Sequence, residues 1–187
     1  MKKTKLRNGL LYALMLITIL SIIILKPINN LDEIWNYNFA RNIANGLVPY
    51  KDFNMLQMPL LPIICGVILK IFLNELIVMR IIAAFMCAWI LYFSYKILNK
   101  LNVKKEVSVI CVFFLGWLLK DYFCIDYNFA TLFVTLIIIN IEISSYKKNT
   151  NFFYLNLKTS LLIGVLAGLT LGFKQTSGLL ICIATLG

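Results

Sequence analysis

The sequence predicts an all-α fold: a polytopic bundle of transmembrane helices, with further helices lying along the outer face of the membrane. Three observations carry this. Of 187 residues, 61% are hydrophobic and 14% charged, against roughly 45–50% and about 25% in soluble globular chains, so lipid must serve as most of the solvent. The apolar residues come in runs, at 10–25, 59–73, 76–98, 107–119, 129–143, 161–173 and from 179 onward. A spanning helix needs about 20 residues, with about 17 as the lower end. Lastly, the net charge of +10 comes from Lys and Arg lying between these runs. There they set topology and do not read as a nucleic-acid surface.

The elements follow in order. Lys2, Lys3, Lys5 and Arg7 precede the run 10–25, and the Lys26-Pro27-Ile28-Asn29 that follows offers no small-x-small cleavage site. This predicts an uncleaved signal anchor with a cytoplasmic N-terminus. Residues 26–75 form an outer loop too long for a simple connector. Within it, Asn30 with Glu33 fits an N-cap and capping box. Trp35, Phe39 and Ile43 make a partial apolar stripe, and Gly46 with Pro49 ends the helix. A surface helix over 31–45 is expected, its aromatics in the headgroup layer.

The run 59–73 is the decisive one. It is short, opens with Pro59 and Pro62, and carries Lys70 near its end. If it does not cross, Lys2, Lys3, Lys5, Arg7, Lys96, Lys100, Lys104, Lys105, Lys147, Lys148 and Lys158 are all cytoplasmic. The acids Asp32, Glu33, Asp52, Glu75, Asp121 and Asp126 then lie outside. If it crosses, the lysine-rich loops are forced outside, against the positive-inside bias. A re-entrant or interface-lying helix is therefore expected. The second span is 76–98. The third and fourth form a hairpin turning outside at 120–128, and the fifth runs over 158–173. Lys174-Gln175-Thr176-Ser177 emerges outside, and the sixth span begins at Gly178. The apolar end at 179–187 reads as a chain stopping inside a helix, so residues 1–187 read as a single membrane domain, the N-terminal part of a longer module.

Absences narrow the chemistry. With no histidine, Ser-His and Cys-His catalysis and HExxH metal sites are excluded within the segment. Cys65, Cys87, Cys111, Cys124 and Cys182 stand alone with no C-x-x-C spacing and read as small membrane-buried side chains. No metal ligands are singled out, and a need for a divalent cation is left open. A metal would have to be a hard divalent cation on carboxylates such as Asp32 or Asp52.

Asp32 and Glu33 fall in the first turn of the surface helix. There they either complement the helix dipole or present a general base at the lipid–water boundary. Arg80 and Lys174 sit at outer ends of spans. They either snorkel to headgroups or bind an anionic substrate. Lys120, Asp121 and Asp126 read as interface anchors, and Tyr122, Phe123 and Tyr127 as an aromatic belt.

Asp32-Glu33, Asn45-Gly46-Leu47-Val48-Pro49-Tyr50-Lys51-Asp52-Phe53 and Met58-Pro59-Leu60, in that order, resemble the first outer loop of the GT-C superfamily. So do Leu76 with Arg80, and Gly172-Phe173-Lys174-Gln175. That superfamily holds membrane glycosyltransferases, among them the protein O-mannosyltransferases and the aminoarabinose transferase of lipid A. The resemblance implies transfer, with inversion, of a sugar from a polyprenyl-phosphate donor to a lipid, polysaccharide or protein acceptor at the outer face of the cytoplasmic membrane. It implies Asp32 as catalytic base with Glu33 beside it, and Arg80 and Lys174 on the donor phosphate. Tyr50, Asp52, Gln57 and Gln175 are substrate-contact candidates. Many members carry a basic residue or His followed by two prolines where this chain has Gln57-Met58-Pro59-Leu60, so no phosphate or metal contact is implied there. The rival readings are a non-catalytic exporter or flippase, or an inactive truncated fragment. Spans almost uniformly apolar between 76 and 173 disfavour a central transport pathway.

Overall fold

The computed structural model describes residues 2–28, 30–72, 74–146 and 156–186. Among them lie eight helices and no strand: α1 (Lys2–Leu25), α2 (Leu31–Ala44), α3 (Leu60–Phe72), α4 (Leu76–Lys100), α5 (Lys105–Leu119), α6 (Tyr127–Tyr146), α7 (Leu157–Phe173) and α8 (Gln175–Leu186). The all-α expectation holds. Three helices, in α1, α4 and α6, are long and apolar enough to cross a membrane, while α3, α7 and α8 are apolar but shorter. The lysine-rich turn at Lys147 and Lys148 lies outside the described residues, as do the side chains of Lys2, Lys3 and Lys5 and the terminal Gly187.

The centre of the assembly is α4, against which α1, α5 and α6 pack. Its sequence explains this. Ala83, Ala84, Cys87 and Ala88 are all fully buried, and small side chains let neighbouring backbones approach closely, as in membrane helix interfaces. From α6, Ala130, Val134 and Ile138 are buried at four-residue spacing, one face of an α-helix. Much of the outer surface stays apolar, with Leu14, Phe113 and Trp117 all exposed. Contiguous exposed apolar surface of this kind marks an interaction with lipid or another apolar partner.

The α2–α3 pair is joined as tightly as its glycine permits. A Cβ on Gly66 would meet Ile43 Cγ2 at 2.8 Å and the Ala40 carbonyl oxygen at 3.0 Å. Ile43 thus packs directly on α3. The predicted ends of α2 hold: the Asn30 side chain accepts from the Asp32 amide at 2.9 Å, and Gly46 takes φ +90°. The capping box does not form, because the Glu33 carboxylate turns inward to Arg80.

A second correction falls at the α7–α8 junction. The expected exposed tetrapeptide before Gly178 is a break at Lys174 alone (φ −151°, ψ 113°), and α8 already starts at Gln175. Gly178 makes this possible, since a Cβ there would sit 2.5 Å from the Leu171 nitrogen. Tight reversal of the chain holds Lys174 and Gln175 beside the start of α3, where Leu60 comes within contact of Gly172.

Candidate functional site

A cavity of about 890 Å³ opens where α2, the 50–58 segment, the start of α6 and the α7–α8 junction converge. Asp32, Tyr50, Gln57, Lys174 and Gln175 all line it, with the aromatic rings of Trp35, Phe39, Tyr127 and Phe173. Five of the eight residues singled out in the sequence, separated by up to 143 positions, therefore share one cavity. Such a volume lies in the range of small-molecule sites.

Asp32 is half-buried at the N-terminal turn of α2, and its carboxylate makes no hydrogen bond or ion pair among the described residues. What fixes it is the backbone: Asn30 caps its amide, and buried Asn36 donates from Nδ2 to its carbonyl oxygen at 2.7 Å. The Asn36 Oδ1 in turn accepts from Gln57 Nε2 at 2.7 Å. A buried amide thus links α2 to the loop wall and leaves the Gln57 side-chain oxygen, Oε1, as an acceptor. Tyr50 adopts φ 65°, a conformation few non-glycine residues take. Its hydroxyl donates to the Gln57 main-chain carbonyl at 2.6 Å, closing the loop on itself.

On the other side, Lys174 Nζ donates to Asn128 Oδ1 at 2.6 Å and lies 5.5 Å from the Tyr127 ring centroid, within reach of a cation–π attraction. Asn128 Nδ2 donates to Asp126 Oδ2 at 2.8 Å. Asp126 is only 5% exposed, and its Oδ1 has no partner. Burial pushes its carboxyl above the usual carboxylate range, the hydrogen bonds from Asn128 oppose this, and the Asp32 charge adds to the rise. The expected interface anchor is therefore an inner carboxylate, coupled to Lys174 through one amide. Gln175 Nε2 approaches Met58 Sδ at 3.1 Å, a weak acceptor.

Three expected site residues stand elsewhere. Arg80, 8% exposed, and Glu33, 2% exposed, form a two-pronged ion pair: Nε to Oε1 at 2.8 Å and Nη2 to Oε2 at 3.2 Å. Arg80 Nη1 also donates to the carbonyls of Ile24 at 3.3 Å and Lys26 at 2.8 Å, satisfying groups left open at the end of α1. With four of its five donors so engaged, Arg80 joins α1, α2 and α4 and does not line the cavity, and Glu33 supports that joint instead of Asp32. Asp52 Oδ2 accepts from the Val48 amide at 2.8 Å, closing a turn outside the cavity. The predicted aromatic belt divides likewise: Tyr122 is exposed, Phe123 is buried, and Tyr127 lines the cavity.

Among the described residues, no group of three or more His, Cys, Asp or Glu could hold a metal ion. Of the carboxylates expected to meet a cation, Asp32 lines the cavity and Asp52 does not. Of the cysteines, Cys65, Cys87 and Cys124 are buried within the protein, Cys182 is half-buried, and Cys111 is exposed on the apolar outer surface of α5. Burial pushes the Cys124 thiol, in the loop before α6, up to about 12, so it is an inert thiol. Asn36 and Asn128, which brace the cavity's wall residues, were not singled out in the sequence, and Asp126 was read there as an interface anchor. Comparison of the chain with protein-family models, with curated proteins and with solved structures finds no match.

Proposed function

We propose that this protein is a membrane glycosyltransferase of the GT-C type. It moves a sugar from a polyprenyl-phosphate donor to an acceptor hydroxyl at the outer face of the cytoplasmic membrane. The observation that carries the reading is the shared cavity: a carboxylate without a hydrogen bond, an amide-held lysine, two glutamines and several aromatic rings line one space. Aromatic faces and amide pairs suit a sugar ring, which offers both C–H faces and hydroxyls.

In this reading α1, α4, α5, α6, α7 and α8 cross the bilayer, with the N-terminus cytoplasmic, and α2 and α3 lie along the outer surface. The arrangement is supported by Asp32 and Lys174 lining the same cavity. It is also supported by the far end of α4, where Lys100 bonds Asn140 of α6, so that basic residues gather at the opposite side.

The reaction is a single displacement. Asp32 takes the proton from the acceptor hydroxyl as its oxygen forms a bond to the anomeric carbon. The bond from that carbon to the phosphate oxygen breaks, and polyprenyl phosphate leaves with the electron pair. The negative charge growing on the phosphate is met by Lys174, which keeps two N–H donors beyond the one given to Asn128. At a low-dielectric rim such a contact is worth far more than in water.

The test is transfer of labelled sugar from a polyprenyl-phosphate donor in membranes carrying the whole protein. Lys174→Gln is expected to lower turnover about 10²-fold or more, in the range of losing one charge-stabilising donor, with the protein still inserted. Transfer at the wild-type rate by Lys174→Gln would overturn the phosphate role.

A further inference from the structure

Away from the Asp32 cavity, α1 and α5 each pack on α4 and leave a lateral groove of about 570 Å³ between them. Buried Ile19, Leu91 and Val112 form its floor, and exposed Leu14, Phe113 and Trp117 its walls. Its single hydroxyl, on Thr18, is spent on the Leu14 carbonyl at 2.9 Å. Charge occurs at one end only: Lys120, whose Nζ stands 3.7 Å from the Trp117 ring centroid. Lys26 reaches the same rim, donating to the Asp121 carbonyl.

The groove's length identifies its occupant. The lining covers residues 11–22 of α1 and 109–120 of α5, about 16 Å at 1.5 Å per residue. That is half of the roughly 30 Å hydrocarbon core, the depth of one leaflet. An extended peptide segment would find no hydrogen-bonding groups along the walls. A much longer polyprenyl chain would outrun them. An apolar trench one leaflet deep, with a cation at its headgroup end, fits a phospholipid.

We propose that this groove holds one acyl chain of an anionic phospholipid, with the headgroup phosphate on Lys120. The inference rests on the membrane placement above and not on the transfer reaction. Its experiment uses Trp117 as the reporter. The protein, with Trp35→Phe and Trp89→Phe so that Trp117 is the reporter, is reconstituted in phosphatidylcholine vesicles. Brominated phosphatidylglycerol or brominated phosphatidylcholine is then added in increasing fraction. Both lipids carry a phosphate, but only in phosphatidylglycerol is its charge uncancelled by a headgroup cation, so brominated phosphatidylglycerol is expected to quench at about fivefold lower mole fraction, the worth of one lysine's attraction to an anionic lipid. Lys120→Gln should abolish that preference and keep the quenching by phosphatidylcholine, while Lys104→Gln, at the other end of α5, should leave the preference intact. Equal quenching by the two lipids in the parent protein, or a preference that survives Lys120→Gln, would overturn the site. Quenching by neither lipid would overturn the membrane placement itself, whatever the protein's transfer activity.

Discussion

Replacing Asp32 by Asn is expected to lower sugar transfer about 10²- to 10⁴-fold, the usual contribution of a positioned general base, while expression and membrane insertion stay normal. The reasoning is geometric. Asn keeps the size of the side chain, and the bonds that hold residue 32 come from its backbone, to Asn30 and Asn36. The carboxylate itself makes no hydrogen bond among the described residues, so converting it to an amide breaks nothing structural and removes only the ability to accept a proton. Rates of transfer at saturating donor, compared at equal amounts of inserted protein, check this. Turnover equal to that of the parent would remove Asp32 from the mechanism.

Replacing Arg80 acts on folding. Arg80→Leu leaves the Glu33 carboxylate buried without its counter-charge and opens the Ile24 and Lys26 carbonyls at the end of α1. Breaking a buried pair by removing one partner costs about 3–5 kcal/mol, a large share of the stability of any domain. The double variant Glu33→Leu/Arg80→Leu removes both charges and is expected to regain much of that loss. Thermal unfolding in detergent micelles, read by loss of helical signal, should rank the proteins as parent, double variant, then single variant. If Arg80→Leu melts with the parent and only transfer falls, Arg80 is a substrate ligand after all, as the resemblance implied.

How far the sequence could be read depended on the range of the interaction. Helix ends are local, and Asn30, Gly46 and the apolar runs located α2, α4 and α6 to within a few residues. The tendency of Asp32, Tyr50, Gln57, Lys174 and Gln175 to share a site was legible through the order of short motifs, not through spacing. What stayed hidden was the choice among partners far apart in the chain. Glu33 can serve a capping box three residues away or an arginine 47 positions on, and local chemistry does not rank the two. Asp126 reads as an interface anchor because nothing beside it reveals its burial. Only the fold brings it close enough to feel Asp32, and to reach Lys174 through Asn128. Gly178 likewise looked like a helix start, when its role is to let α8 fold against the backbone of α7.

The central claim is that the carboxylate of α2 and the lysine between α7 and α8 face one aqueous compartment, the outer one. Single cysteines at Asn54 and Thr176, both on the cavity lining, and at Lys105, the start of α5, in an otherwise cysteine-free protein, measure this directly. With a membrane-impermeant maleimide added to intact cells, the first two positions are expected to label and the third to stay protected until the membrane is opened. Labelling of Asn54 and Thr176 from opposite sides would contradict the account.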